Sequence, residues 1–100
     1  MDIIAIAKLI SVLKENISGF SVTVRGKSML PTYKDGDVVF VKPHETYMVG
    51  EVVVFIYNFE IRIHRIIEKQ NEVFVCKGDN AINPETILTQ QILGKVFMDI

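Results

Sequence analysis

From Phe20 onward the chain is a succession of short β-patterned runs, each closed by glycine, asparagine, aspartate or proline within roughly ten residues. Phe20, Val22 and Val24 alternate with Ser21, Thr23 and Arg25, the mark of a half-buried strand. Residues 26 to 32 carry no period and read as a shaped loop. Lys34 to Asp37 form a turn into a strand over Val38 to Val41, and Pro43 to Gly50 make a longer connection. Glu51 to Tyr57 is a continuous apolar strand, and Asn58-Phe59 turns it into a second strand over Glu60 to Ile67. In that strand Arg62, His64 and Ile66 share one face, while Ile61, Ile63 and Arg65 share the other. A turn over Glu68 to Asn71 leads to the strand Val73 to Lys77, and Gly78-Asp79-Asn80 is a tight turn. Residues 81 to 91 read as irregular, with a helical turn after Pro84, and Ile92 to Met98 closes as a strand. The whole is a mainly β, antiparallel domain.

Ahead of it the period is helical. Ile3, Ala5, Ile6, Leu9, Ile10, Val12 and Leu13 cover one wide face; Lys8, Ser11, Lys14 and Glu15 gather opposite, with Ile4 among them. A membrane span needs roughly 20 apolar residues, and this run is broken by Lys8 and ended by Lys14. It also lacks the basic start and small-residue cleavage site of a secretory signal. The expectation is an amphipathic helix over residues 1 to 17. Such a face packs on its own domain, in a partner groove or on a membrane surface. With residues 20 to 98 as a β core, the 100 residues are expected to form one domain, cytoplasmic and at most peripheral to a membrane.

With 49% apolar residues the chain is globular in composition, and its net charge of -1 argues against a nucleic-acid partner. Cys76 stands alone, so no intrachain disulfide can form; within an alternating run it reads as a small buried thiol. His44 and His64 are far apart without paired ligands nearby, so neither a metal nor another cofactor is expected.

On residue type alone, Ser28, close to Gly26 and ahead of Pro31, is turn chemistry. The run Gly26-Lys27-Ser28-Met29-Leu30-Pro31-Thr32, however, resembles the nucleophile box of the signal-peptidase and LexA-like serine peptidases. Gly36-Asp37-Val38-Val39 is similar to that family's next block. Ile63-His64-Arg65-Ile66 resembles the block carrying the general base, in the histidine form of the endoplasmic-reticulum and archaeal type. Lys77-Gly78-Asp79-Asn80 and Ile92 to Val96 match the last block and the closing strand, all in order.

The resemblance implies a fold of coiled antiparallel β-sheets, Ser28 as nucleophile and His64 as its base. A serine hydroxyl is weak until a neighbouring base takes its proton, and neutral imidazole can do so near neutral pH. A third group orients such a histidine. Glu85 stands where histidine-type relatives place an aspartate, and Asp79, in the Gly-Asp-Asn turn, is the other candidate. The oxyanion hole falls to backbone, most simply the Ser28 amide. Gly26 would allow close substrate approach or an unusual backbone angle, or be a plain turn glycine. Met29 and Pro31 are expected to shape the cleft. Lys27, adjoining Ser28, is expected to face solvent.

The function so implied is a short, soluble endopeptidase that cuts a leader or signal-like segment from a peptide or precursor protein. Two alternatives stand beside it. One is a self-cleaving LexA-like regulator, which the missing Ala-Gly pair and DNA-binding domain disfavour. The other is a peptide-binding module that keeps the fold without turnover.

Overall fold

A computed structural model of the chain describes residues 18 to 99. The amphipathic helix expected over residues 1 to 17 lies outside the described residues. Seven strands follow one another: β1 (Phe20–Thr23), β2 (Val38–Lys42), β3 (Val52–Tyr57), β4 (Glu60–Gln70), β5 (Val73–Lys77), β6 (Glu85–Leu88) and β7 (Ile92–Asp99), with a 3-10 turn over Thr89–Gln91. They form one antiparallel sheet in the order β1-β2-β7-β3-β4-β5-β6.

β3 explains why its sequence runs apolar without alternating. Val53 and Phe55 belong to one core cluster with Tyr47, Ile66, Phe74, Cys76, Ile87 and Ile92. Val54, pointing the opposite way, joins Val24, Val39 and Val41 in a second. A strand covered on both faces needs apolar residues at every position. Shifts of register at Phe40/Val41, Val54/Phe55 and Ile66/Glu68 interrupt the β2–β7, β3–β7 and β4–β5 ladders respectively, and such bulges sharpen twist and bend the sheet.

The β3–β4 hairpin closes with Tyr57 opposite Glu60, and the two loop residues Asn58 and Phe59 have φ of 50° and 64°. Two left-handed residues match the right-handed twist of the flanking strands. As read from the alternation, His64 and Ile66 turn to the first core and Ile63 to the second.

Segment 81 to 91 is more ordered than its sequence suggests. Glu85 and Ile87 are buried while Thr86 and Leu88 are exposed, which is strand alternation. A carboxylate at the first buried position hides that period from a reading based on hydrophobicity. The helical turn comes later, over Thr89–Gln91, rather than directly after Pro84. β4 also runs three residues beyond Ile67, because Glu68, Lys69 and Gln70 pair with β5. Among the described residues no helix is long and apolar enough to cross a membrane.

Candidate active site

Ser28 lies on an excursion between β1 and β2 that is closed at its base. The Val24 amide donates to the Asp37 carbonyl and the Gly36 amide to the Val24 carbonyl, both at 2.8 Å. Inside the loop the Leu30 amide donates to the Lys27 carbonyl and the Tyr33 amide to the Met29 carbonyl. The turn after β5 then clamps the loop. The Asn80 amide donates to the Ser28 carbonyl at 2.8 Å, Asn80 Nδ2 to the Lys27 carbonyl at 3.1 Å, and Thr32 Oγ1 to Asp79 Oδ2 at 2.5 Å.

That clamp brings Ser28 to His64. His64 Nε2 is 3.2 Å from Ser28 Oγ, and Nδ1 is 2.8 Å from Glu85 Oε1. A carboxylate oxygen only accepts, so in the neutral ring the hydrogen belongs on Nδ1, and Nε2 is then the nitrogen with a lone pair facing the Ser28 hydroxyl. Strand geometry produces this line. His64 and Ile66 share a face of β4, Ile66 pairs with Cys76 of β5, and Cys76 pairs with Glu85 of β6. Glu85 therefore reaches His64 diagonally across β5. Both are buried, at 5% and 7% exposure, and the imidazole meets the Phe55 ring edge-on at 6.0 Å between centroids. Glu85 Oε2 accepts from Arg62 Nη1 at 2.9 Å.

The two acids left open by the sequence are thereby separated. Asp79 Oδ1 accepts from Arg65 Nε and Oδ2 from Arg65 Nη2, each at 2.8 Å, while Arg65 Nη1 donates to the Gly50 carbonyl. Asp79 is committed to Arg65 and Thr32, and Glu85 is the acid that bonds the imidazole. The Arg65 guanidinium on it, helped by the Thr32 hydroxyl, holds the Asp79 carboxyl below its usual range against the opposing pull of burial.

A groove of about 820 Å³ opens over Ser28, His64 and Glu85. It is lined by Val22, Thr23 and Arg25 at the exit of β1, by Tyr57 and Ile61 through His64, and by residues 81 to 85. Met29 and Pro31, expected to shape the cleft, do not line it, and of the roles left open for Gly26 close substrate approach is not the one seen. Gly26 takes φ of +83° with open space around it and gives its amide to Asp35 Oδ1, so it serves the turn. Met29 is buried beneath the loop, where its sulfur accepts from the Asp79 amide. Pro31 is exposed and follows a cis peptide bond. Lys27 is exposed, as its place beside Ser28 suggested. Among the described residues the Ser28 amide donates to no backbone acceptor, and Ser28 itself lines the groove.

A family model described as Peptidase S24-like matches residues 3 to 97. The chain belongs to the Peptidase S24-like family. It is also 32% identical, over 117 aligned residues, to the signal peptidase complex catalytic subunit SEC11 of the yeast Ogataea parapolymorpha. That alignment covers 90% of this chain and 66% of the yeast protein, so the chain spans a little under two thirds of that relative's length.

In this Peptidase S24-like chain three contributors to the site escaped the sequence reading. Arg65 ties the histidine strand to the Gly78-Asp79-Asn80 turn, and Arg62 holds the far oxygen of Glu85. Gly78 is the third: a Cβ there would lie 2.6 Å from the Ser28 carbonyl oxygen and 3.1 Å from His64 Nε2. Cys76, next to Glu85 on the sheet, takes no part as a nucleophile. Burial, with the Glu85 charge adding, pushes its thiol up to about 12, and a thiol that resists ionisation does not attack.

Proposed function

We propose that this chain is a serine endopeptidase that removes a leader or signal-like segment from a peptide or precursor protein. Ser28 is the nucleophile, His64 the general base and Glu85 the orienting acid. The observation that carries the reading is the unbroken line Ser28 Oγ, His64 Nε2, His64 Nδ1 and Glu85 Oε1, with steps of 3.2 and 2.8 Å, opening on a peptide-sized groove. Likeness to a signal peptidase catalytic subunit supports the substrate class.

In this reading a substrate lies extended in the groove beside β1, the terminal strand of the described sheet, with backbone hydrogen bonds setting its register. Ser28 Oγ attacks the scissile carbonyl carbon as its proton passes to His64 Nε2. Glu85 keeps Nδ1 protonated and steadies the imidazolium. The carbonyl oxygen takes up negative charge and receives the Ser28 amide hydrogen. The imidazolium then gives its proton to the departing amine, and an acyl ester remains on Ser28. Water, deprotonated by His64, attacks that ester, and the released Ser28 oxygen regains a proton from the imidazolium.

Mass spectrometry of precursor peptides incubated with wild-type, Ser28→Ala and His64→Ala proteins tests the reading. Wild type should cut in trans, and each substitution should lower the rate by on the order of 10³ or more. A peptide bound without cleavage by wild type would overturn it in favour of a binding module. A fall in the intact mass of the protein alone would overturn it in favour of self-cleavage.

A further inference from the structure

Arg62 stands two residues before His64 on the same face of β4, and both side chains end on one carboxylate. Glu85 Oε1 accepts from His64 Nδ1 at 2.8 Å and Oε2 from Arg62 Nη1 at 2.9 Å. The guanidinium is itself held on two further sides. Its Cζ lies 5.0 Å from the Tyr57 ring centroid, and Nη2 is 3.5 Å from Glu60 Oε2.

We infer that Arg62 is a positioning residue, which fixes the outer oxygen of Glu85 so that the inner one meets His64. The inference rests on the Ser28–His64–Glu85 reading above. Glutamate has one more rotatable bond than aspartate, so a single hydrogen bond leaves its carboxylate free to turn away. Here the side chain is only 6% exposed, and a buried carboxylate oxygen left without a donor is costly. Arginine suits the task because its planar fork gives Glu85 a directed donor while its face rests on Tyr57. Arg62 also lines the groove, so a bound peptide would cover this pair and strengthen it by excluding water.

The test reads the His64 Nδ1 proton by NMR in substrate-free protein, together with kcat and KM on a cleaved peptide. Arg62→Gln should broaden or abolish that resonance and lower kcat by up to about a hundredfold, the scale of a misplaced reacting group. Arg62→Lys keeps the charge without the fork and should fall between; should the glutamine variant not fold, it carries the same readout. Glu68→Gln, an exposed acid farther along β4 and away from the guanidinium, should leave both readouts unchanged. An undisturbed Nδ1 resonance with wild-type kcat in Arg62→Gln and Arg62→Lys would overturn the inference. The spectroscopic arm needs no turnover. A wild type that cuts nothing refutes the peptidase reading, while the resonance still decides what Arg62 does for the His64–Glu85 contact.

Discussion

Replacing Gly78 by alanine sets one methyl group between the Ser28 loop and the His64 ring. The added carbon would lie 2.6 Å from the Ser28 carbonyl oxygen, where ordinary contact begins near 3.4 Å, and 3.1 Å from His64 Nε2 and from the Ala81 Cβ. Relief on the Ser28 side demands a retreat of about 0.8 Å, and the oxygen that must move is backbone already bonded to the Asn80 amide. The Ser28–His64 contact, at 3.2 Å, has no slack for a shift of that size. A displacement near 1 Å at a reacting pair costs about 100-fold in rate, equivalent to about 2.7 kcal/mol of barrier. Overpacking should also lower stability by about 1–3 kcal/mol. Steady-state cleavage gives the first quantity and urea unfolding the second. A Gly78→Ala protein with wild-type kcat/KM and an unmoved unfolding midpoint would show that the wedge argument is wrong.

Two further outcomes follow from charge and burial. Asp79 titrates below its unfolded value because Arg65 bonds it, so its contribution to stability is whole above the ordinary carboxylate range and disappears as pH falls through the lowered folded value. Asp79→Asn should therefore cost about 1 kcal/mol at neutral pH, the pair being partly solvated, and progressively less in acid; an unfolding-midpoint difference that stays constant with pH contradicts this. Cys76, with its thiol raised to about 12 and fully covered, should resist alkylation in the native protein at mildly alkaline pH and react at the rate of unfolding; prompt labelling of the folded protein refutes its burial.

β1, β4 and β5 are legible because their alternation reports which side of each residue is dry, and β2 and β3 because each is a short apolar run bounded by turn residues. β6 is not, since its first inward position is the carboxylate of Glu85, which a hydrophobic pattern counts as outward. Ser28 and His64 could be paired through the family resemblance, while the choice between Glu85 and Asp79 could not be made from the chain alone. That choice turns on which acid lies across β5 from His64, a matter of sheet order. Arg62 and Arg65 illustrate the same limit: each is a plain basic residue until its carboxylate, 23 or 14 positions away, is brought beside it. Met29 is expected at the cleft and instead fills the space under the loop, because a residue beside Ser28 can as easily face the core.

Among the described residues β6 has a neighbour on one side only, and Glu85 is its first residue. A four-residue terminal strand frays at a small fraction of the cost of global unfolding, since few backbone bonds hold it. Each such opening withdraws the carboxylate from His64 while the doubly covered β3 stays intact. Under the proposed mechanism such an opening leaves the protein incompetent yet folded, so the free energy that guards the proposed chemistry is smaller than the one that guards the shape.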